Sequence, residues 1–296
     1  MQYLIDASVY VFRAYYSMPD DMVDKEGNPV NALYGFCRFL GDFIEQVNPE
    51  HVAVLFDESM TESFRTEIYP EYKANRDPAP EELKRQFGLC RRFTRALGIM
   101  ESGSPRYEAD DLIGTLVEHG RTVNRPSTIV TRDKDLAQLV SPNDVFWDFA
   151  GKGKIRYDEV RGVFGVRPEQ IADFLALAGD AVDNIKGVPG VGKKTAVVLL
   201  EHFGSLDAIY ENLDQVHEVN VRGSKTLGEK LATYKDDAIM SRRLTGIACD
   251  APFDDPEGSL VRSRPKLGEI NALYDDADIG TALRRQAERI SDLSRD

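Results

Sequence analysis

Short apolar runs alternate through the first half of the chain with longer stretches whose apolar positions recur at helical spacing. The runs "YLID" (3–6), "HVAVLFD" (51–57) and "STIVTRD" (127–133) each read as a buried strand. Between them, 8–16, 32–47, 81–97 and 109–119 read as helices. Strand–helix alternation of this kind predicts an α/β core, a mostly parallel sheet flanked by helices on both faces. The pattern changes near Trp147, and from about Pro168 onward it is helical, with glycine-bearing turns and little strand signal. A core over 1–165, a helical domain over 166–262 and a charged C-terminal extension over 263–296 are therefore expected, the last turns fraying. No internal repeat, low-complexity tract or long flexible linker is apparent.

The chain has 296 residues, enough for about two domains, and 42% hydrophobic with 29% charged residues fits a globular protein rather than a disordered one. No apolar run approaches the roughly 18–20 residues that span a bilayer, and the N-terminus lacks the layout of a secretion signal. Cys37, Cys90 and Cys249 lie far apart with no CxxC pair, which argues against a disulfide framework or a zinc site and suits a reducing cytoplasm. A net charge of -13 argues by itself against a nucleic-acid partner. Charge distribution complicates that. The stretch from Arg65 to Arg95 gathers eight basic residues among acidic ones, although for Arg91, Arg92 and Arg95 a solvated helix face is the simpler reading.

Three expected strands end in aspartate: Asp6, Asp57 and Asp133. Ligands of open parallel sheets bind beyond the carboxyl ends of the strands, so these side chains would share one crevice. Any one of them could be a helix cap; three together are harder to dismiss. "YEADDL" adds Glu108, Asp110 and Asp111 at a helix start, and "TRDKDL" adds Asp135. Acidic enrichment of a first helical turn would explain the former on structural grounds alone. Asp180 and Asp183 bring the set to nine. Nine converging carboxylates cannot all stay ionised unaided. With no histidine or cysteine among them, the oxygen donors point to Mg²⁺ or Mn²⁺, and their number suits two ions.

Asp180 and Asp183 lie in "GDAVDNIKGVPGVGKKTA" (179–196), where Gly187, Gly190 and Gly192 precede Lys193, Lys194 and an apolar helix. Glycine turns and a helix N-terminus make a phosphate cradle; a tight helix–helix turn is the structural alternative. It is not a nucleotide P-loop, because Lys194 stands where that motif needs Ser or Thr.

"YLIDAS", "VLFD", "YKANR", "EADDLIG", "TRDKDLAQLV" and the 179–196 segment occur in order. Together they resemble the flap endonuclease-like 5′-nuclease family, which includes the N-terminal nuclease domain of bacterial family A DNA polymerases and stand-alone 5′-3′ exonucleases. The resemblance covers roughly residues 1 to 260 and implies a PIN-like nuclease core followed by a helical domain with a helix-three-turn-helix (helix-hairpin-helix-like) motif. It implies a first-metal group of Asp6, Asp57, Glu108, Asp110 and Asp111, and a second of Asp133, Asp135, Asp180 and Asp183. The hairpin of Gly187, Gly190, Gly192, Lys193 and Lys194 would hold duplex phosphates, with K⁺ on its carbonyls. A helical arch over about 62–97 would clamp the free 5′ strand, with Lys73 and Arg76 on the scissile phosphate, Tyr72 stacked on the terminal base and Arg13 as a further phosphate contact. A packed arch residue and a plain salt bridge are the alternatives for Tyr72 and Arg13.

The sequence departs from the family pattern at Ala7, where glycine is common, and at Ala181, Val182 and Lys186, where serine and proline are more frequent. No ligand is lost. The implied activity is 5′-3′ exonuclease and structure-specific flap endonuclease on DNA, with two metals bracketing one phosphodiester. The implied protein is a cytoplasmic, stand-alone monomer that acts on DNA with a 5′ end or flap in replication and repair, beside a separate DNA polymerase. A non-catalytic nucleic-acid-binding scaffold and a PIN-like ribonuclease are the rival readings; a doubly wound phosphatase is a distant third.

Overall fold

The computed structural model describes every residue except 59–61, 150, 152, 254 and 294–296. The first half builds β1 (Gln2–Asp6), α1 (Ala7–Ser17), α2 (Asn31–Val47), β2 (His51–Asp57), α3 (Phe64–Ile68), α4 (Glu81–Ala96), β3 (Met100–Ser104), α5 (Ala109–Thr122), β4 (Ser127–Val130), β5 (Val145–Asp148) and β6 (Gly153–Arg156). The six strands form one sheet in the order β3-β2-β1-β4-β5-β6, parallel except for β6 at its edge. From β1 the chain steps outward to β2 and β3, then returns to β4 on the other side. That reversal opens a crevice at the carboxyl ends of β1 and β4, where an open sheet binds ligands.

Alternation along the strands sorts two cores. Leu4, Leu55 and Ile129 face one side of the sheet with Leu112 and Leu116 of α5. Ile5, Val54, Phe56 and Val130 face the other, with Phe36 and Leu40 of α2 and Phe93 of α4. β3, β5 and β6 are strands that the sequence pattern did not give. β3 ("MESGS") has a single large apolar side chain, and β6 is an edge strand with one buried residue. The third expected strand stops at Val130, so Asp133 lies beyond its end, in the turn that starts a 3₁₀ helix (Lys134–Leu139).

The second half is helical: α6 (Tyr157–Phe164), α7 (Ile171–Ala178), α8 (Lys193–Phe203), α9 (Leu206–Glu211), α10 (Ser224–Thr233), α11 (Lys235–Thr245), α12 (Pro256–Ser259), α13 (Leu267–Asp276) and α14 (Thr281–Leu293). The core on the α5 side runs without a break into Leu175, Leu199 and Leu231 of these helices. The C-terminal segment is not a trailing extension. Ile270, Leu273, Tyr274 and Ile290 of α13 and α14 lie in the core with α2 and α4. Gly41 lets α14 come close: a Cβ there would lie 2.3 Å from the Gln286 side-chain oxygen. The last three residues of the expected extension, 294–296, lie outside the described residues.

Candidate active site

Eight of the nine singled-out carboxylates line one cleft of about 470 Å³ at the β1/β4 crevice: Asp6, Asp57, Glu108, Asp110, Asp133, Asp135, Asp180 and Asp183. Six of them are placed by local devices. Asp6 ends β1 and accepts a 2.8 Å hydrogen bond from the Thr131 hydroxyl, which reaches across from the end of β4. Asp57 ends β2 and accepts from the Ala109 amide at the start of α5 (2.8 Å). Glu108 is the N-cap of α5. Asp133 caps the 3₁₀ helix through the Asp135 amide (3.0 Å). Asp180 pairs backbone to backbone with Ile185 and accepts from the Val182 amide (2.8 Å), closing the turn that presents Asp183.

Asp111 is the exception, and the assignment of Asp111 to the first-metal group is corrected. Its carboxylate is fully buried and does not line the cleft. Both oxygens take the Arg65 guanidinium (2.6 and 2.7 Å), and they also accept the Glu108 and Ala248 amides. Arg65 is itself buried and donates to the Leu244 and Gly246 carbonyls, so this pair fastens α3, α5 and the end of α11 together. Neighbouring residues on a helix point about 100° apart, so Asp110 and Asp111 serve different surroundings.

Burial dominates the electrostatics of the cleft. It pushes the Asp6 carboxyl up to about 8, with the charges of Asp57 and Asp133 adding to the effect. Burial and then Asp133 push Asp135 up to about 7. Asp110 and Asp133 are raised as well, burial again the leading cause. Glu108 goes the other way: burial works upward, but the charges of Lys73 and Arg65 outweigh it. So many acids need protons or cations, and the chain supplies some cations of its own. Lys73 Nζ lies 2.7 Å from Glu108 and 3.8 Å from Asp183, Arg76 lies 2.5 Å from Asp183, and Lys134 Nζ lies 3.5 Å from Asp180 and 3.9 Å from Asp135. Lys134 stood unremarked in "TRDKDL"; its position between two acids was the available signal.

The donor set suits a hard divalent cation: every side chain offers carboxylate oxygen, and the buried Oε1 of Glu108 and Oδ1 of Asp135 have no hydrogen-bond partner. As placed, no three of the described acids close into a ready-made ion cage. Part of the set is turned onto lysine and arginine instead.

Two family models cover the chain: 5′-3′ exonuclease, N-terminal resolvase-like domain, over residues 1–165, and 5′-3′ exonuclease, C-terminal SAM fold, over 166–287. The chain belongs to the 5′-3′ exonuclease family. The DNA polymerase I of Rhizobium leguminosarum is 36% identical over 293 residues, covering 97% of this chain and 28% of the relative. That of Pseudomonas aeruginosa is 39% identical over 272 residues, covering 92% and 30%. The chain thus spans under a third of these two relatives. Among solved structures, a T5 5′-exonuclease with zinc bound superposes with a TM-score of 0.65 at 20% identity, over 99% of each chain. The catalytic core of Rad2 with DNA substrate gives 0.63 at 15%, over 98% of this chain and 90% of that one. At these identities the two structures show a shared fold.

Within that family frame, the basic residues separate. The turn at 69–77 is laced to the Asp183 loop: the Lys73 amide donates to the Asp183 carbonyl (3.0 Å), Asn75 to that of Ala181 (2.9 Å), and Asn184 to that of Glu71 (2.7 Å). The expected arch over 62–97 is therefore divided. α4 is part of the core, with Leu83, Cys90 and Phe93 buried, and only the segment before it crosses the cleft. Tyr72 is 5% exposed, and its hydroxyl lies 3.3 Å from Glu108 and 3.2 Å from Asp183, so it packs and offers no face for stacking. Phe12, which lines the cleft and is 39% exposed, does offer one; its place on α1 gave no sequence signal beyond helical spacing. Arg13 does not line the acidic cleft and instead lines a second cavity. Seven of the eight basic residues between 65 and 95 are matched by acids: Lys73 and Arg76 by Glu108 and Asp183 in the cleft, and outside it Arg65 by Asp111, Lys84 by Glu81, Arg85 by Asp24, and Arg91 and Arg95 by Glu101. For Arg91 and Arg95 this replaces the plain solvated face.

In the hairpin, Gly187 (φ +63°) is demanded by packing, since a Cβ would lie 2.3 Å from the Gly179 nitrogen. Gly192 has ordinary backbone and open space around it at the start of α8, where Lys193 and Lys194 are exposed. A Cβ on Gly190 would lie 3.2 Å from Lys230 Nζ, so α10 brings a third lysine that sequence reading missed.

Proposed function

We propose that the chain hydrolyses DNA phosphodiesters at or near a 5′ end, as a divalent-metal-dependent 5′-3′ exonuclease and structure-specific 5′-flap endonuclease. The observation that carries this reading is the meeting of eight carboxylates with Lys73, Arg76 and Lys134 in one cleft at the sheet's reversal point. Two Mg²⁺ or Mn²⁺ ions, held by Asp6, Asp57, Glu108 and Asp110 and by Asp133, Asp135, Asp180 and Asp183, would supply a hydroxide at neutral pH and stabilise the leaving 3′ oxygen. The chain's own residues do the rest. Lys73 and Arg76, on the turn that crosses the cleft, bind the scissile phosphate and offset its growing charge. Phe12 stacks on a frayed base at the cleft wall. The Gly187–Lys194 hairpin, joined by Lys230, holds the duplex backbone, and its carbonyls would take K⁺. We read the protein as a cytoplasmic monomer acting in replication and repair together with a DNA polymerase.

The test is product analysis on 5′-labelled flap, nicked and blunt duplexes, with Mg²⁺ and with chelator. The expected result is release of 5′-phosphorylated mono- or short oligonucleotides, abolished by chelation. Intact flap substrate in Mg²⁺ would sink the reading, and faster cutting of the RNA equivalent would move it to a ribonuclease.

A further inference from the structure

Among the described residues, five basic side chains line the acidic cleft: Arg65, Lys73, Arg76, Arg132 and Lys134. Four of them are engaged by the acids singled out above: Arg65 by Asp111, Lys73 by Glu108 and Asp183, Arg76 by Asp183, and Lys134 by Asp135 and Asp180. Arg132 is different. Its Nε lies 3.5 Å from Asp148, a nearly buried carboxylate that does not line the cleft. The Arg132 side chain is 45% exposed, and among the described residues its two terminal nitrogens have no acidic partner. The backbone that carries it is pinned on both sides. The Thr131 amide donates to the Trp147 carbonyl (3.1 Å), and the Thr131 hydroxyl accepts the Asp133 amide (2.9 Å) while donating to Asp6 (2.8 Å). Asp148 ends β5, which lies beside β4 on the side away from β1. Arg132 and Asp148 both act on the Tyr10 hydroxyl of α1. Arg132 thus leans toward β5, about 5 Å or one strand spacing to the side of the acids that follow β1 and β4.

We infer that Arg132 binds a phosphate of the cut strand next to the scissile one, through the two terminal nitrogens of its guanidinium. A cleft lined by carboxylates repels a polyanion, and the cation that no cleft acid has neutralised weighs most against that repulsion. Lys73 and Arg76 must share or leave a cleft carboxylate when a phosphate arrives. Arg132 keeps Asp148 on its Nε and still offers a planar fork that matches two phosphate oxygens. Asp148 is then a positioning residue: it holds the guanidinium at the cleft edge and stays out of the cleft itself. The sideways offset gives Arg132 the neighbouring phosphate, because the scissile one has to lie over the converging acids, under Lys73 and Arg76. The inference rests on the nuclease reading and adds a second phosphate subsite to it.

The experiment measures kcat and KM of the full chain in Mg²⁺ on 5′-flap DNAs that carry one neutral methylphosphonate linkage, placed on either side of the scissile phosphate. Arg132→Ala should raise KM on the all-phosphate DNA on the order of tenfold and leave kcat within about twofold, the signature of a contact made equally in ground and transition states. On one flank the neutral linkage should raise the wild-type KM by a similar factor, and there Arg132→Ala should add nothing further. Arg132→Lys, which keeps the charge without the fork, should recover part of the loss. Arg285→Ala removes an equal charge from an exposed position on α14 and should leave KM alone. A KM penalty for Arg132→Ala that persists on both neutral linkages, or a loss confined to kcat, would overturn this subsite and leave the nuclease reading standing. Failure of the wild-type chain to cut any of these DNAs would overturn both.

Discussion

Adjacent acids on one helix turn have opposite duties, and substitution should separate them. Asp110→Ala removes a carboxylate that burial and its neighbours disfavour, so folding should be unharmed while cleavage falls by about a thousandfold or more. Asp111→Ala strands the buried Arg65 guanidinium and should destabilise the protein by about 3–5 kcal/mol. Thermal melts alongside cleavage rates check the pair; equal melting temperatures would refute the distinction. Sequence alone placed both residues in one cluster. What it lacked was the direction of each side chain, which depends on the Leu244–Ala248 segment arriving to seal Asp111. The raised acids also set a pH dependence. Asp6 and Asp135 titrate near 8 and 7 in the fold against an ordinary 3.8, so the folded chain holds protons that the unfolded chain has released. Metal-free stability should therefore fall as pH rises from about 5 to about 8, and Mg²⁺ should restore more stability at the upper end. Melting in chelator across that range tests this, and a rise in stability with pH would contradict it.

At the scale of the element, the glycines and lysines of the hairpin divide the work. Gly187→Ala meets the Gly179 backbone in a left-handed conformation and should cost stability. Lys193→Ala and Lys194→Ala, both exposed, should leave the melting temperature alone. Each should weaken DNA binding and lower the slope of log affinity against log salt by about one. An unchanged salt slope in the double lysine variant would remove the hairpin from the DNA interface. Elements were legible in the sequence where packing repeats a simple period. β1, β2, α2 and α5 bury regular faces and match their expected ranges within a few residues. β3 and β6 were not legible, because they are held by hydrogen bonds from neighbouring strands rather than by apolar side chains of their own.

The whole molecule behaves as one packed object, which the two-part sequence pattern conceals. A single apolar cluster runs from Leu4 and Leu116 under the sheet to Leu199 and Leu231 in the helical part, and the Arg65–Asp111 pair ties α11 to α5 across the same boundary. On the opposite face the chain's end returns to cover its beginning: Leu273, Tyr274 and Ile290 fill the core beside Phe93 and Leu40, while Gln286 and Arg289 bond Asp42 and Glu45 of α2. Truncation after about residue 262 would uncover that core. Buried large side chains contribute roughly 1.5–3 kcal/mol each, and loss of the several on α13 and α14 exceeds the margin by which a domain is stable. The truncated chain should therefore lose folded structure, measured by near-ultraviolet circular dichroism and by soluble yield, although the eight cleft carboxylates and the hairpin all lie before residue 262. The full chain should unfold in one calorimetric transition, with the van't Hoff and calorimetric enthalpies equal. Two separated transitions, or a truncated chain with native dichroism and undiminished cleavage, would show that the halves stand apart and that the shared core does not hold the cleft together.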